Sequence, residues 1–316
     1  MRVAETRQAG SQAPRSLVLT AFATLYVVWG STYLAIRYAV ETLPPFVMAG
    51  VRFLLAGLIL ALWAYWRDGA RATATNWRAA TIAGAFLLLG GNGMVVWAEQ
   101  RVPSGLAALL VATMPLWMVI VAWAKPGGRA PKVGVAAGIL LGIAGLLLLV
   151  GPGSISGSSV DRTGAVVLTL ASLSCAIGSI YSRTAPLPKN AIFATGLEMI
   201  AGGVLLVLVG TATGEWSRLD ASHASSASII SFFYLVVFGS LIAFTAFAWL
   251  IRVSTPARVS TYAFVNPVVA VFLGWAIAHE PVSRMTVIAT VVIVAAVALI
   301  TLASESGKAE HAASGD

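Results

Sequence analysis

The sequence predicts an all-α polytopic membrane protein of ten transmembrane helices, written as two inverted five-helix repeats. Three observations lead there. The 316 residues are 59% hydrophobic and only 10% charged, whereas soluble domains average about 45–50% apolar and about 25% charged. The apolar residues fall into ten runs, at 17–38, 46–66, 79–98, 103–124, 133–150, 163–182, 191–210, 228–251, 256–278 and 282–303, most of them near the ~20 residues that a helix needs to cross a bilayer. And one pattern occurs twice. An apolar helix ends at Ala98, a polar break Glu99-Gln100-Arg101 follows, and Pro103 opens a second helix with an internal proline, Pro115. At an offset of 152 residues Trp249 stands for Trp97 and Pro267 for Pro115, with Pro256 within one residue of the place of Pro103.

Taken in order, residues 1–16 carry arginines but no apolar run and read as a cytoplasmic tail. The first run is longer than the ~7–15 residues of a signal-peptide core, so it reads as a retained span. None of the runs shows the alternation of barrel strands, which leaves helices as the spanning element. Spans one to five make a first repeat over 17–150, GPGSISGSSVDR at 151–162 is a linker, and spans six to ten make a second repeat over 163–303, before a cytoplasmic tail at 304–316. Across the linker GVRFLLAGLIL (50–60) aligns with GLEMIAGGVLL (196–206), pairing Gly50 with Gly196 and Ala56-Gly57 with Gly202-Gly203. The longer loop at 211–227 absorbs the difference between the two offsets. Five is an odd number of spans, so the second repeat enters from the opposite side, the construction of many secondary transporters. Lysine and arginine set the orientation. With the N-terminus inside, fourteen of the twenty lie in inner segments and five in outer ones, with Arg52 in the membrane. Acidic residues split five and six, with Glu198 in the membrane. Both termini are therefore expected in the cytoplasm. The net charge of +8 is this loop bias and carries no implication of nucleic acid. The single cysteine, Cys175, excludes a disulfide framework and a cysteine-based metal site.

Four blocks, WGSTYLAIRYAVETLPPFVMAGVRFLLAG (29–57), GNGMVVWAEQRVPSGLAALLVATMPL (91–116), GLEMIAGGV (196–204) and YAFVNPVVAVFLG (262–274), resemble EamA-type permeases of the drug/metabolite transporter superfamily, most of all the YedA-type inner-membrane members. The resemblance runs over about residues 17–303. It implies a ten-helix fold with a central cavity between the halves, and export of small metabolites such as amino acids.

The functional expectation is a secondary transporter of the inner (plasma) membrane. It would export amino acids or related amphipathic compounds by alternating access, driven by a gradient or by exchange. A passive channel or facilitator, and an integral-membrane enzyme, are the alternatives. No P-loop, H-E-x-x-H or G-x-S-x-G is present, and His223, His279 and His311 are scattered through loops and tail. A ring of like charges or a filter sequence, as channels use, is not visible. Neither cofactor nor metal is expected. The partners are a small-molecule substrate and the bilayer, with no nucleic acid. The chain would act as a monomer, or as a homodimer through the fifth and tenth helices. Gly134, Gly138 and Gly142, with Gly145, give the fifth helix a face of small residues that permits close packing.

Arg52 and Glu198 occupy equivalent repeat positions, and each costs at least ~2.5–3.5 kcal/mol at a helix centre if unpaired. Counted along their helices, each lies ~10 Å below its own face of a ~30 Å core. About 10 Å then separates them along the normal, so each needs a local partner. Each reads as structural or as a coupling or gating group. Pro115 and Pro267 each remove one backbone hydrogen bond and free a carbonyl about four residues earlier, near Val111 and Ala263. Thr113 and Asn266 flank these kinks, which read as hinges lining the substrate pathway. Trp29, near mid-membrane, with Ser31, Thr32 and Tyr33, forms a polar and aromatic set on the first helix. Ser172, Ser174, Cys175, Ser179 and Tyr181 form one on the sixth. Asn92 between Gly91 and Gly93, and Tyr262 in the YAFVNP block, complete the pathway candidates. Serine and threonine also serve as packing contacts between membrane helices. Tyr65, Trp66, Trp97 and Trp123 sit near helix ends and read as interfacial belt residues.

Overall fold

A backbone surrounded by lipid has to close its hydrogen bonds within each spanning segment. In a computed structural model of the chain, which describes residues 14–124, 130–150, 161–220, 222–254, 258–259 and 261–313, every regular element is helical. The long helices are α1 (Arg15–Ala39), α2 (Pro45–Asp68), α3 (Ala74–Ala98), α4 (Ser104–Ala124), α5 (Val133–Val150), α6 (Arg162–Ser182), α7 (Ala191–Ala212), α8 (Ser226–Leu250), α9 (Tyr262–Ala278) and α10 (Arg284–Ala313). All but α5 and α9 are long and apolar enough to cross a membrane. The apolar parts of those two, Val133–Leu148 and Tyr262–Ala278, are shorter. The chain is thus an all-helical polytopic membrane protein with eight candidate spans among its described residues.

Local chemistry sets the helix ends. α3 begins at Ala74, five residues ahead of its apolar run, because Thr73 and Asn76 exchange backbone and side-chain hydrogen bonds of 3.0 and 3.2 Å. Asp161 caps α6, Asn190 caps α7 and Ser225 caps α8. Pro45 opens α2, and Gly69 ends it in the left-handed region at φ 62°. α4 comes in two pieces, Ser104–Val111 and Met114–Ala124. α9 runs helically through Pro267, whereas the helix of α4 is interrupted just ahead of Pro115. α10 continues helically to Ala313, through most of the expected C-terminal tail. Of the linker, residues 151–160 lie outside the described residues.

Small residues place the helices. α2 and α7 cross so closely that an added Cβ on Gly50 would lie 2.9 Å from the Gly203 carbonyl oxygen, and one on Gly203 would lie 3.0 Å from that of Gly50. Seven residues along, Gly57 and Gly196 stand in the same relation, at 2.8 and 3.0 Å. The backbones touch at both points. The glycine face of α5 meets α10 of the same chain: an added Cβ on Gly138 would lie 3.2 Å from the Ala296 carbonyl, and one on Gly145 2.7 Å from Ile293. A buried core of Phe53, Leu109, Leu110, Leu168, Leu206 and Leu235 fills the centre, drawing on both halves of the chain.

Three stretches carry the wider turn of a π-helix: Leu25–Trp29 in α1, Ala85–Gly93 in α3 and Leu235–Ile242 in α8. A π turn holds one residue more than an α turn and is common near functional sites. Side chains of α6 cover the widened stretch of α3. Ser174 Oγ donates to the Phe86 carbonyl at 2.7 Å, and the Cys175 thiol approaches that of Leu87 at 3.8 Å.

Candidate functional site

At the end of the bundle where α3 gives way to α4, a vestibule of about 480 Å³ opens between α1 and the α3–α4 connection, with Arg37, Glu41, Glu99 and Arg101 in its wall. Its charges are held in different ways. Arg101 lies over the Trp97 ring at 4.7 Å and 3.9 Å from Asp161. Glu280, 6% exposed and just past α9, accepts from Ser104 N and Ser104 Oγ at 2.8 Å each and from Gly105 N at 3.1 Å, and pairs with Arg37. It is the anion that the first free N–H groups of α4 require. Glu215 does the same for α2, accepting from Val47 N at 2.9 Å. Glu99, immediately past α3 and 4% exposed, has no hydrogen-bond partner on either carboxylate oxygen, the Arg37 backbone standing close without hydrogen-bond geometry. Burial pushes its carboxyl well above the usual carboxylate range. Glu280 adds to the rise, while Arg37 and Arg52 oppose it.

Arg52, 3% exposed, lies within electrostatic reach of Glu99. Its Nε donates to Ser240 Oγ on α8 at 2.9 Å and its guanidinium lies 4.7 Å from the Phe53 ring, but Nη1 has no partner. The amide oxygens of Asn92 and Asn266 are likewise buried without a partner. Tyr33 lies within electrostatic reach of Glu99, Cys175 and Tyr262. Orphaned buried polar atoms are rare in folded proteins, and of the five described residues that carry them, Arg52, Asn92, Glu99, Trp117 and Asn266, three, Arg52, Asn92 and Asn266, are ones the sequence singles out.

Trp29 packs among aromatic rings. Its ring centroid is 5.2 Å from Phe244, 5.3 Å from Phe247 and 5.1 Å from Tyr262, and its indole N–H donates to the Gly239 carbonyl at 3.3 Å. This cluster joins α1, α8 and α9. Ser31 donates to the Val28 carbonyl at 2.9 Å and shares a 2.6 Å hydrogen bond with the Tyr234 hydroxyl. At the α4 break the carbonyl of Val111, the one Pro115 frees, accepts from Ser172 Oγ at 3.2 Å, and Thr113 Oγ1 turns back to Leu110 at 2.6 Å. Glu198 stands apart from this set, accepting from Ser182 Oγ at 3.2 Å. Arg52 and Glu198 thus each find a hydroxyl on another helix and do not meet. Tyr181, half-buried near the end of α6, offers only its backbone carbonyl to Thr184 and Ala185. No group of three potential metal ligands occurs among the described residues.

Sequence patterning does not single out several participants. Glu99 and Arg37 fall among the loop charges, and neither Glu280 nor Ser240 belongs to a motif. One signal was available for Glu280: Ser104 and Gly105 begin a helix with no acidic residue in its first turn, so its free N–H groups need an anion from elsewhere.

Comparison with known proteins places this geometry. The sequence model described as the EamA-like transporter family matches residues 16–151 and again 162–302. The uncharacterized inner membrane transporter YedA of Escherichia coli K12 is 41% identical over 279 residues, which is 88% of each chain. The uncharacterized transporter YvbV of Bacillus subtilis is 24% identical over 94% of this chain and 96% of its own. Protein PecM of Dickeya dadantii is 25% identical over 86% and 88%. One crystal structure superposes with a TM-score of 0.60 at 21% identity, covering 92% of this chain and 98% of the other, and so shares the fold.

Proposed function

This chain belongs to the EamA-like transporter family of the drug/metabolite transporter superfamily, and from that premise we propose a secondary transporter that exports small amphipathic metabolites, amino acids among them, from the cytoplasm. Its class, a membrane transporter, follows from the family. The paired contact of α2 and α7 carries the rest. Gly50 meets Gly203 and Gly57 meets Gly196, while the sequence pairs Gly50 with Gly196 and Gly57 with Gly203. Reciprocal contacts of this kind are what a two-fold axis produces. The axis supports reading all ten helices as spans in two inverted repeats, with α5 and α9 crossing despite their length. In such transporters the site lies at the repeat interface and opens to each side in turn. Arg52 Nη1 suits a carboxylate, and the amide oxygens of Asn92 and Asn266 suit an ammonium group. Trp29 and Tyr262 would wall an apolar side chain. The lysine and arginine bias supports cytoplasmic termini, and the likeness to YedA supports the inner membrane.

The test is exchange. Liposomes holding the purified protein and labelled leucine should lose the label to unlabelled leucine outside, saturably and without nucleotide. A strict requirement for ATP, or unsaturable conductance, would sink the proposal.

A further inference from the structure

The charges at the vestibule end of the bundle do not balance by contact. Glu280 is satisfied by Arg37 and the start of α4, and Glu215 by the start of α2. Two opposite charges are left over. Arg52 keeps Nη1 without a partner and Glu99 keeps both oxygens without one, although both residues are more than nine-tenths buried. They lie within electrostatic reach of one another, but no salt bridge joins them. Arg37 and Tyr33 of α1, Glu280 beyond α9, and Glu41 and Arg101 in the same vestibule wall are the other charged and titratable groups around Glu99. A buried carboxylate with no donor is a costly state, and a proton relieves it. Glu99 is also part of the wall of the vestibule, which gives that proton a route from solvent.

We propose that Glu99 is a proton-binding site filled from the vestibule, and that its occupancy decides whether Arg52 is neutralised from within the protein or is left open to the carboxylate of a ligand. With Glu99 ionised, the two charges balance across the gap. With Glu99 protonated, one proton has been taken up, no other bond has changed, and the Arg52 guanidinium is an uncompensated cation with Nη1 free. A carboxylate ligand then restores neutrality. Proton and carboxylate therefore favour each other's binding, and the effect is reciprocal. The direction of any coupled transport rests on the transporter reading above; the proton site does not.

Infrared titration of the full-length protein in bilayers tests this without a known substrate. The wild type should show a protonated-carboxyl stretch that outlasts the ordinary carboxylate range. Glu99→Gln should remove one component of it, and Glu198→Gln should leave that component in place. In Arg52→Gln the band should titrate about one pH unit or more higher, because a cation favouring the carboxylate has gone. Acetate, the plain carboxylate probe, should raise the titration of the wild type and leave that of Arg52→Gln unmoved. A band unchanged by Glu99→Gln, a titration of the Glu99 component that does not rise in Arg52→Gln, or one that acetate fails to move in the wild type overturns the proposal. Should Glu99→Gln fail to fold by size exclusion, Glu99→Asp must shift the band, and an unshifted band has the same force. Leucine exchange with no such band would refute the proton site alone, and the band with no exchange would refute the transporter reading alone.

Discussion

Replacing Glu280 by glutamine separates two roles that its carboxylate combines. Oε1 accepts from Ser104 N and Oγ at 2.8 Å each and from Arg37, while Oε2 accepts from Gly105 N at 3.1 Å. Hydrogen bonds to a charged group contribute about 1.5–3 kcal/mol each, though donors sharing one carboxylate do not add. Glutamine keeps one acceptor and turns an NH2 group toward the remaining donor. One charged bond is lost outright and the others lose their charge assistance, so Glu280→Gln should cost about 2–4 kcal/mol. The Arg37 side chain is 32% exposed, and a pair so open to water contributes about 1 kcal/mol or less. Arg37→Gln should therefore be the milder change by a factor of two or more. Equilibrium unfolding in mixed micelles measures both. Equal losses, or a larger loss for Arg37→Gln, would show that the ion pair rather than the helix start is what Glu280 stabilises.

Two further outcomes follow from the same geometry. In Gly50→Ala the new Cβ meets the Gly203 carbonyl and Val207 N at 2.9 Å each; these are backbone atoms, so the helices must part, at a cost of about 1–3 kcal/mol. Leu58→Ala on the exposed face of the same helix should stay within about 0.5 kcal/mol, and equal effects in the same unfolding assay would refute the close crossing. The second outcome concerns pH. Because the folded protein holds the Glu99 carboxyl above its ordinary range, stability is fullest below that range and falls as pH rises toward the shifted value. Glu99→Gln should flatten that slope, and an unchanged slope would show that Glu99 is not its source.

The apolar runs made the helices legible, and the glycine register made the repeat correspondence of α2 and α7 legible, though not their crossing, since both are local or repeated signals. What escaped the sequence depends on contacts between distant residues. Glu280 lies 176 residues from Ser104, and no local pattern joins them. Glu99 read as a loop residue because hydropathy ends α3 at Ala98, whereas packing buries the next position almost completely. Pro115 and Pro267 read alike, yet only α4 breaks. Thr113 and Ser172 supply hydroxyls that take the carbonyls of Leu110 and Val111 there. The π turns have no composition signal at all, because the extra residue is accommodated by the neighbouring helix. For the candidate site, the sequence named Arg52 from its charge at a repeated position, Asn92 from its polarity at membrane depth and Asn266 from its place beside Pro267, but it had no means of finding their neighbours.

Two helices that touch backbone to backbone at points seven residues apart, about 10 Å along the axis, have little freedom left. Tilting one against the other would drive one pair of glycines into collision and open the other. The rotation that keeps both contacts is a swivel about the line through them, which runs along the helices. α2 and α7 therefore behave as a single spindle, although they come from different halves of the chain. The helix α3 is held to the same spindle, since an added Cβ on Gly84 would lie 2.8 Å from the Glu198 carbonyl oxygen, whereas α1 and α8 carry their wider turns outside it.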